Sequence, residues 1–409
     1  MRRRSRQAAR RRRLLPRPTT PRKLFGLNHT RTIVEDIFGP SLHAKRVESL
    51  GNGVAGVLHA AVLSVHAIGQ AYAELNRTSP KSAINQMQRL LSNDGIELDV
   101  LQRRWVEHVI GDHSSVVLVV DWTDFEPDDH TTLCVYLLTT HGRAIPLVWR
   151  TVEKSTLKTR QAKLEEDMIR RLHDWIPKET AVTLLGDRGF GKQELYKELE
   201  SLHWDYVLRF KENVLVNHAG ESKAGTAWLA EKGKATKYLD CAVTGRKTPV
   251  PAIVTVKAAK MKEAWCLATS IADRPASEVV KLYGRRFTIE ETFRDSKDLK
   301  FGMGLSSTHI KSAARRDRML MLVAVAHTLL TLLGAACEQT GLDRKLKANT
   351  STKRTHSLYR QGLYWYGCLP TMRDAWFEPL VAAFDQIVKD HPYISWFFAQ
   401  LGPQPADKK

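Results

Sequence analysis

From Pro40 to about Asp112 apolar residues recur at helical spacing, in "LHAKRVESL", "VAGVLHAAVLSVHAIGQAYAEL", "SAINQMQRLLSND" and "LDVLQRRWVEHVI". Gly and Asn fall between these segments as turns, so the pattern predicts a small all-helical unit. The pattern then changes. "SVVLVVDW" is a short, continuous, β-branched run ending in an acid, the signature of a buried strand. "TTLCVYLLTTHG" and "RAIPLVWRTVE" read as two more strands, joined by a tight turn near His141 and Gly142. An amphipathic helix over about Thr156 to Trp175 follows, then "TAVTLLGDRGF", a second buried strand ending in an acid. A helix, "KQELYKELESLHW", and a strand, "DYVLRFKEN", complete a mixed α/β layer with helices packed on a sheet.

Residues 214 to about 262 break this rhythm with Gly, Lys and short alternating segments, which predicts a small β-rich insertion. "EAWCLATS" is a last strand, a long helix carries "YGRRFTIEETFRDSK", and polar helices run from about Glu338 to Gln400. Before residue 38 the chain reads as a solvated basic arm, because like charges repel and Pro16, Pro18 and Pro21 stop helices. The expected fold class is α/β, an RNase H-like mixed sheet with flanking helices. Its expected divisions are an arm (1–38), a helical unit (39–114), a catalytic domain (115–337) and a helical C-terminal region (338–409).

A chain of 409 residues, 43% hydrophobic, can bury at least one large core. A formal charge of +19 and a pI near 9.7 point to a partner carrying many phosphates, and name no chemistry. Cys134, Cys241, Cys266, Cys337 and Cys368 lie far apart without a C-x-x-C pair, which argues against a zinc ribbon and a disulfide scaffold. The Arg-rich N-terminus lacks the apolar core of a secretory signal. "MLMLVAVAHTLLTLLGAAC", Met319 to Cys337, is long enough to cross a membrane, but His327, two Thr and Gly334 favour a buried core helix. The expected home is the reducing cytosol, with no membrane partner.

Asp121 and Asp187 each close an apolar run, where a strand delivers its last side chain to the edge of the sheet. An ionised carboxylate there is costly unless paired or bound to a cation, so both, with Glu290, suit hard cations such as Mg²⁺. Each Asp alone also fits a turn-capping role. Asp124, close behind Asp121, competes for the same place. On one helix, Tyr283, Arg286, Glu290 and Lys297 fall within an arc of roughly 60°. Cations beside Glu290 keep it ionised and offer grips for phosphate. The plain alternative is a surface helix laced with ion pairs.

"DWTD", "LLGDRGF" and "YGRRFTIEETFRDSK" together resemble the catalytic motifs of the DDE transposases of bacterial insertion sequences, in the cut-and-paste branch marked by Tyr-x2-Arg-x3-Glu-x6-Lys. The resemblance runs from about Ser41 to about Tyr364. It implies that Asp121, Asp187 and Glu290 are a catalytic triad holding two Mg²⁺ ions, with Mn²⁺ as a substitute. It implies that Tyr283, Arg286 and Lys297 hold the DNA end, that Trp265 stacks a flipped base, and that Arg209 and Lys211 contact DNA. Inverted-repeat ends and target DNA are the implied partners, bound by a homodimer, with hairpin ends as intermediates and a bacterial, nucleoid-associated location. The helical unit is then expected to bind the ends and the C-terminal helices to dimerise. Phe287 stands where some relatives carry Trp, and the Arg-rich tail has no counterpart. A catalytically silent DNA-binding derivative and a nuclease on the same core are the alternatives.

Overall fold

A computed structural model of the chain describes residues 27–139, 143–230, 233–300 and 302–389. The turn expected near His141 and Gly142, the Arg-rich stretch before residue 27 and the tail after residue 389 lie outside them. Helices α1 (Leu27–Phe38), α2 (Ala44–Ala60), α3 (Val65–Asn76), α4 (Pro80–Leu91) and α5 (Leu98–Ile110) come first. Strands β1 (Ser115–Phe125), β2 (His130–Leu138) and β3 (Ala144–Glu153) lead to α6 (Gln161–Trp175), β4 (Ala181–Gly186), α7 (Gln193–Ser201) and β5 (Asp205–Phe210). Then come β6 (Leu215–His218), β7 (Glu221–Ala224), β8 (Thr236–Val243), β9 (Thr248–Val256) and β10 (Trp265–Thr269). Helices α8 (Ala276–Gly284), α9 (Thr288–Lys297), α10 (Ala313–Gln339), α11 (Leu358–Cys368) and α12 (Asp374–Lys389) close the described chain.

All ten strands form one sheet in the order β3-β2-β1-β4-β5-β10-β9-β8-β6-β7. In its first half β2 runs antiparallel to β1 and β3, while β4 is parallel to β1 and β5 parallel to β4. This is the RNase H-like mixed sheet that the element order implies. The segment expected as an insertion is not a separate module. Strand β10 pairs with β5, β9 with β10 and β8 with β9, so residues 236–256 continue the same sheet. Val250, Ile253 and Val254 are buried there, and an open edge at β10 would leave its backbone groups unpaired.

One expected boundary also shifts. The solvated arm cannot extend to residue 38, because α1 occupies 27–38 and buries Ile33, Val34, Ile37 and Phe38, which recur at helical spacing. The N-terminal helices are joined to the sheet by one continuous core. A Cβ on Gly53 of α2 would press on Leu90 of α4 and Leu322 of α10. From α5, Gln102 donates to the Trp149 carbonyl at 2.9 Å and the Trp105 indole to the Pro146 carbonyl at 2.7 Å, closing the outer edge of β3.

Among the described residues α10 is the one helix long and apolar enough by itself to cross a membrane, and 94% of its apolar stretch is buried inside the protein. Helices α2, α4, α11 and α12 and strand β3 all pack on it. The C-terminal helices therefore cover this chain's own core helix.

Candidate active site

Strand β1 continues to Phe125, so Asp121 lies inside the strand and does not end it as its apolar run implied. The sheet register explains what does change there. Strand β4 stops at Gly186, paired with Val120 of β1, while β2 accompanies β1 as far as Phe125. Asp121 is the first β1 residue beyond the end of β4, and Asp187 is the first residue after β4. Adjacent strands lie about 4.8 Å apart, so the two carboxylates emerge side by side at this step in the sheet.

Asp187 bends back to accept from the Gly189 N–H at 2.8 Å, and Asp121 accepts from the Trp122 N–H at 2.9 Å. The third acid arrives from the other layer. The single helix expected through Tyr283 to Lys297 is broken: α8 ends at Gly284, a tight 3-10 turn spans Arg285–Phe287, and α9 starts at Thr288. Mid-helix 3-10 geometry often marks a functional bend, and here the bend carries Arg286 inward. Its guanidinium donates to Asp121 Oδ2 at 3.0 Å and to Glu290 Oε1 at 3.2 Å.

Burial pushes the Asp121 carboxyl up to about 6; Arg286 opposes the shift, and the charges of Asp187 and Glu290 add to it. Burial works against the charge of Arg286, yet Tyr283, Asp121, Asp187 and Glu290 together hold its pKa above the ordinary arginine value. All three acids thus act on one guanidinium. Glu290 is the exposed member, with about half its side chain in solvent.

The remaining residues divide into three places. Tyr283 is buried under the cluster with its hydroxyl pKa raised by burial, and the edge of its ring meets Trp265 at 4.9 Å. Trp265 in turn lies over Phe287 at 5.8 Å, and Arg286 covers the other ring at 4.8 Å. Lys297 does not share this cluster, because α9 carries it two turns further along β1. There it donates to Thr123 Oγ1 at 3.0 Å and to the Asp124 carbonyl at 2.6 Å, above the Phe125 ring. Arg209 and Lys211 line an open cleft next to Asp187, with Arg188, Glu212, Asn213 and Glu263. Asp124 points to the opposite face from Asp121, since successive strand residues alternate, and pairs with Lys154 at 2.9 Å.

Several partners carry no sequence signal of their own. Glu165, buried on α6, accepts from the Trp122 indole at 3.0 Å and from Lys192 at 2.9 Å, tying the chain beyond Asp121 to the turn beyond Asp187. Asp295, buried on α9, pairs with Arg143 and faces His327 of α10 at 3.4 Å, which anchors the helix bearing Glu290.

A donor set of three carboxylates suits Mg²⁺ or Mn²⁺. Among the described residues no three His, Cys, Asp or Glu side chains stand close enough to hold an ion as they are, and Arg286 occupies the place between Asp121 and Glu290. The chemistry of the donors fits a divalent cation, which must compete with this guanidinium for two of them.

Residues 147–329 match the family described as a transposase DDE domain. The matched stretch holds Asp187, Tyr283, Arg286, Glu290 and Lys297, and begins after Asp121. Comparison with curated proteins gives no match.

Proposed function

We propose that this chain, which matches the transposase DDE domain family over residues 147–329, cuts one strand at the inverted-repeat ends of a mobile element and joins the freed ends to target DNA by a cut-and-paste route. The observation that carries the reading is the step in the sheet where Asp121 and Asp187 emerge together, with Glu290 linked to Asp121 through Arg286.

Asp121, Asp187 and Glu290 are assigned as the metal ligands. Divalent ions held there would supply activation of the attacking water or 3′-hydroxyl and stabilisation of the leaving oxygen in an in-line displacement. Arg286 brings a planar fork matched to phosphate oxygens and is already poised between two acids. Lys297 adds a point charge further along β1. Trp265, half-buried and braced by Tyr283 and Phe287, offers a stacking face for a base turned out of the duplex, which hairpin ends require. The +19 charge supports sequence-independent attraction to DNA. Paired ends bound by two copies of the chain complete the reading.

The test is incubation of the full chain with duplexes bearing the element's own ends, with and without Mg²⁺, resolving nicks, hairpins and joined products. Asp121→Asn, Asp187→Asn and Glu290→Gln are each expected to abolish all three while end binding persists. Nicks without joined products would leave a nuclease, and binding without any cleavage would leave a silent DNA-binding protein.

A further inference from the structure

Beside the acids lies an open cleft of about 550 Å³ lined by three cations, Arg188, Arg209 and Lys211, and two carboxylates, Glu212 and Glu263. Its cations are unequally engaged. Glu263 accepts from Arg209 at 2.7 Å and from Arg188 at 3.2 Å, so one carboxylate bridges both arginines. These two hold Glu263 below the usual carboxylate range. Glu212 stands 3.9 Å from Arg209, and Lys211 has no acidic partner among the described residues. Arg209 is mostly buried, and its Nε finds no hydrogen-bond acceptor.

The cleft's position ties it to the site. Arg188 follows Asp187 directly, the charge of Arg209 acts on the Tyr283 hydroxyl, and Glu263 precedes Trp265 by two residues. We infer that the cleft seats one backbone phosphate of bound DNA and that Glu263 fills this seat until the phosphate displaces it. The inference rests on the reading of the site as one that processes DNA.

A carboxylate and a phosphodiester are both singly charged groups that an arginine fork can grip with two oxygens. Exchanging one for the other keeps the charge of the cleft constant, so the buried face of Arg209 is never left without an anion. Glu263 is about half exposed, as is Arg188, so their pairing is weak enough for a phosphate to win. The effect is self-occlusion: DNA contacts here are discounted by the cost of opening two ion pairs. DNA that also fills the neighbouring site is best able to meet that cost.

The experiment measures binding of a labelled duplex to the full chain in EDTA across a salt series, so that an inactive enzyme still reports on the cleft. Glu263→Gln is expected to tighten binding about fivefold at low salt. It should also steepen the plot of log affinity against log salt by roughly one. The matched control is Asp99→Asn. Asp99 bridges Arg150 and Arg171 in the same way, at 2.6 and 2.8 Å, on the opposite face of the sheet from Asp121, and its removal should leave binding unchanged. Arg188→Gln, at an exposed side chain, should weaken binding and erase the gain from Glu263→Gln in the double variant. An unchanged affinity in Glu263→Gln, an equal gain in Asp99→Asn, or a gain that survives Arg188→Gln overturns the inference. Cleavage in Mg²⁺ by the same variants bears on the catalytic reading alone.

Discussion

Asp121 holds a charge that its surroundings resist. Its carboxyl titrates near 6, against 3.8 for an ordinary aspartate, so between these values the unfolded chain ionises while the native state stays protonated. Stability is therefore lost as pH rises through this window, and the full cost, about 3 kcal/mol at most, applies above it. Asp121→Asn should stabilise the protein by about 1–3 kcal/mol near pH 7 in EDTA, with no gain near pH 4, while removing DNA cleavage. A fall in the urea midpoint near pH 7 would show the carboxylate to be structural. Asp317 makes a parallel case at the start of α10. It is fully buried, pushed up to about 7 by burial, and accepts from the Thr151 N–H at 3.0 Å. Asn can keep that hydrogen bond, so Asp317→Asn should flatten the loss of melting temperature between about pH 4 and about pH 7. Asp121 and Asp187 were legible in the chain because each follows an apolar run, and Glu290 because it shares a helical period with Tyr283, Arg286 and Lys297. Their partners were not: nothing local shows that Arg286 will bridge Asp121 and Glu290, or that Glu165 will hold Trp122, since tertiary approach selects among 63 cations and 44 acids.

At the scale of elements, strands β1 to β5 and β10 could be read from runs of buried β-branched residues, which report burial on both faces directly. Where pairing decided the outcome, the pattern fell short. The end of β1 is set by β2, and the residues read as an insertion extend the sheet because β10 presents an edge to them. The bend at Arg285–Phe287 carries no local signal either, since the residues around it keep a helical period. Helix α10 was visible as a long apolar run, and its contact with α11 explains why two glycines interrupt helices there. A Cβ on Gly334 would overlap the Leu358 carbonyl oxygen, and one on Gly362 the Leu330 carbonyl oxygen. Backbone cannot retreat as a flexible side chain can, so Gly334→Ala and Gly362→Ala should each destabilise by about 2–4 kcal/mol despite the better helix propensity of Ala. Urea unfolding measures this, and a neutral result for both would mean that the two helices are not in close contact.

For the whole molecule, composition indicated the partner class before any site was recognisable, because +19 spread over 409 residues is a field and not a contact. Neutralising about four phosphates makes DNA affinity fall at least about a hundredfold from roughly 50 to roughly 200 mM salt, and a flat salt dependence in a binding titration would contradict that reading. Asp121, Asp187 and Glu290 are brought near one another only by the assembled sheet and α9, so neither half of the chain carries all three. The most direct measurement is Mn²⁺ binding to the full chain on an uncleavable duplex of its element ends, followed by electron paramagnetic resonance. The native chain should bind Mn²⁺ at Asp121, Asp187 and Glu290, with affinity falling at least about tenfold in Asp121→Asn, Asp187→Asn and Glu290→Gln alike. A variant of any one of the three that binds Mn²⁺ as tightly as the native chain would contradict the shared site on which this account stands.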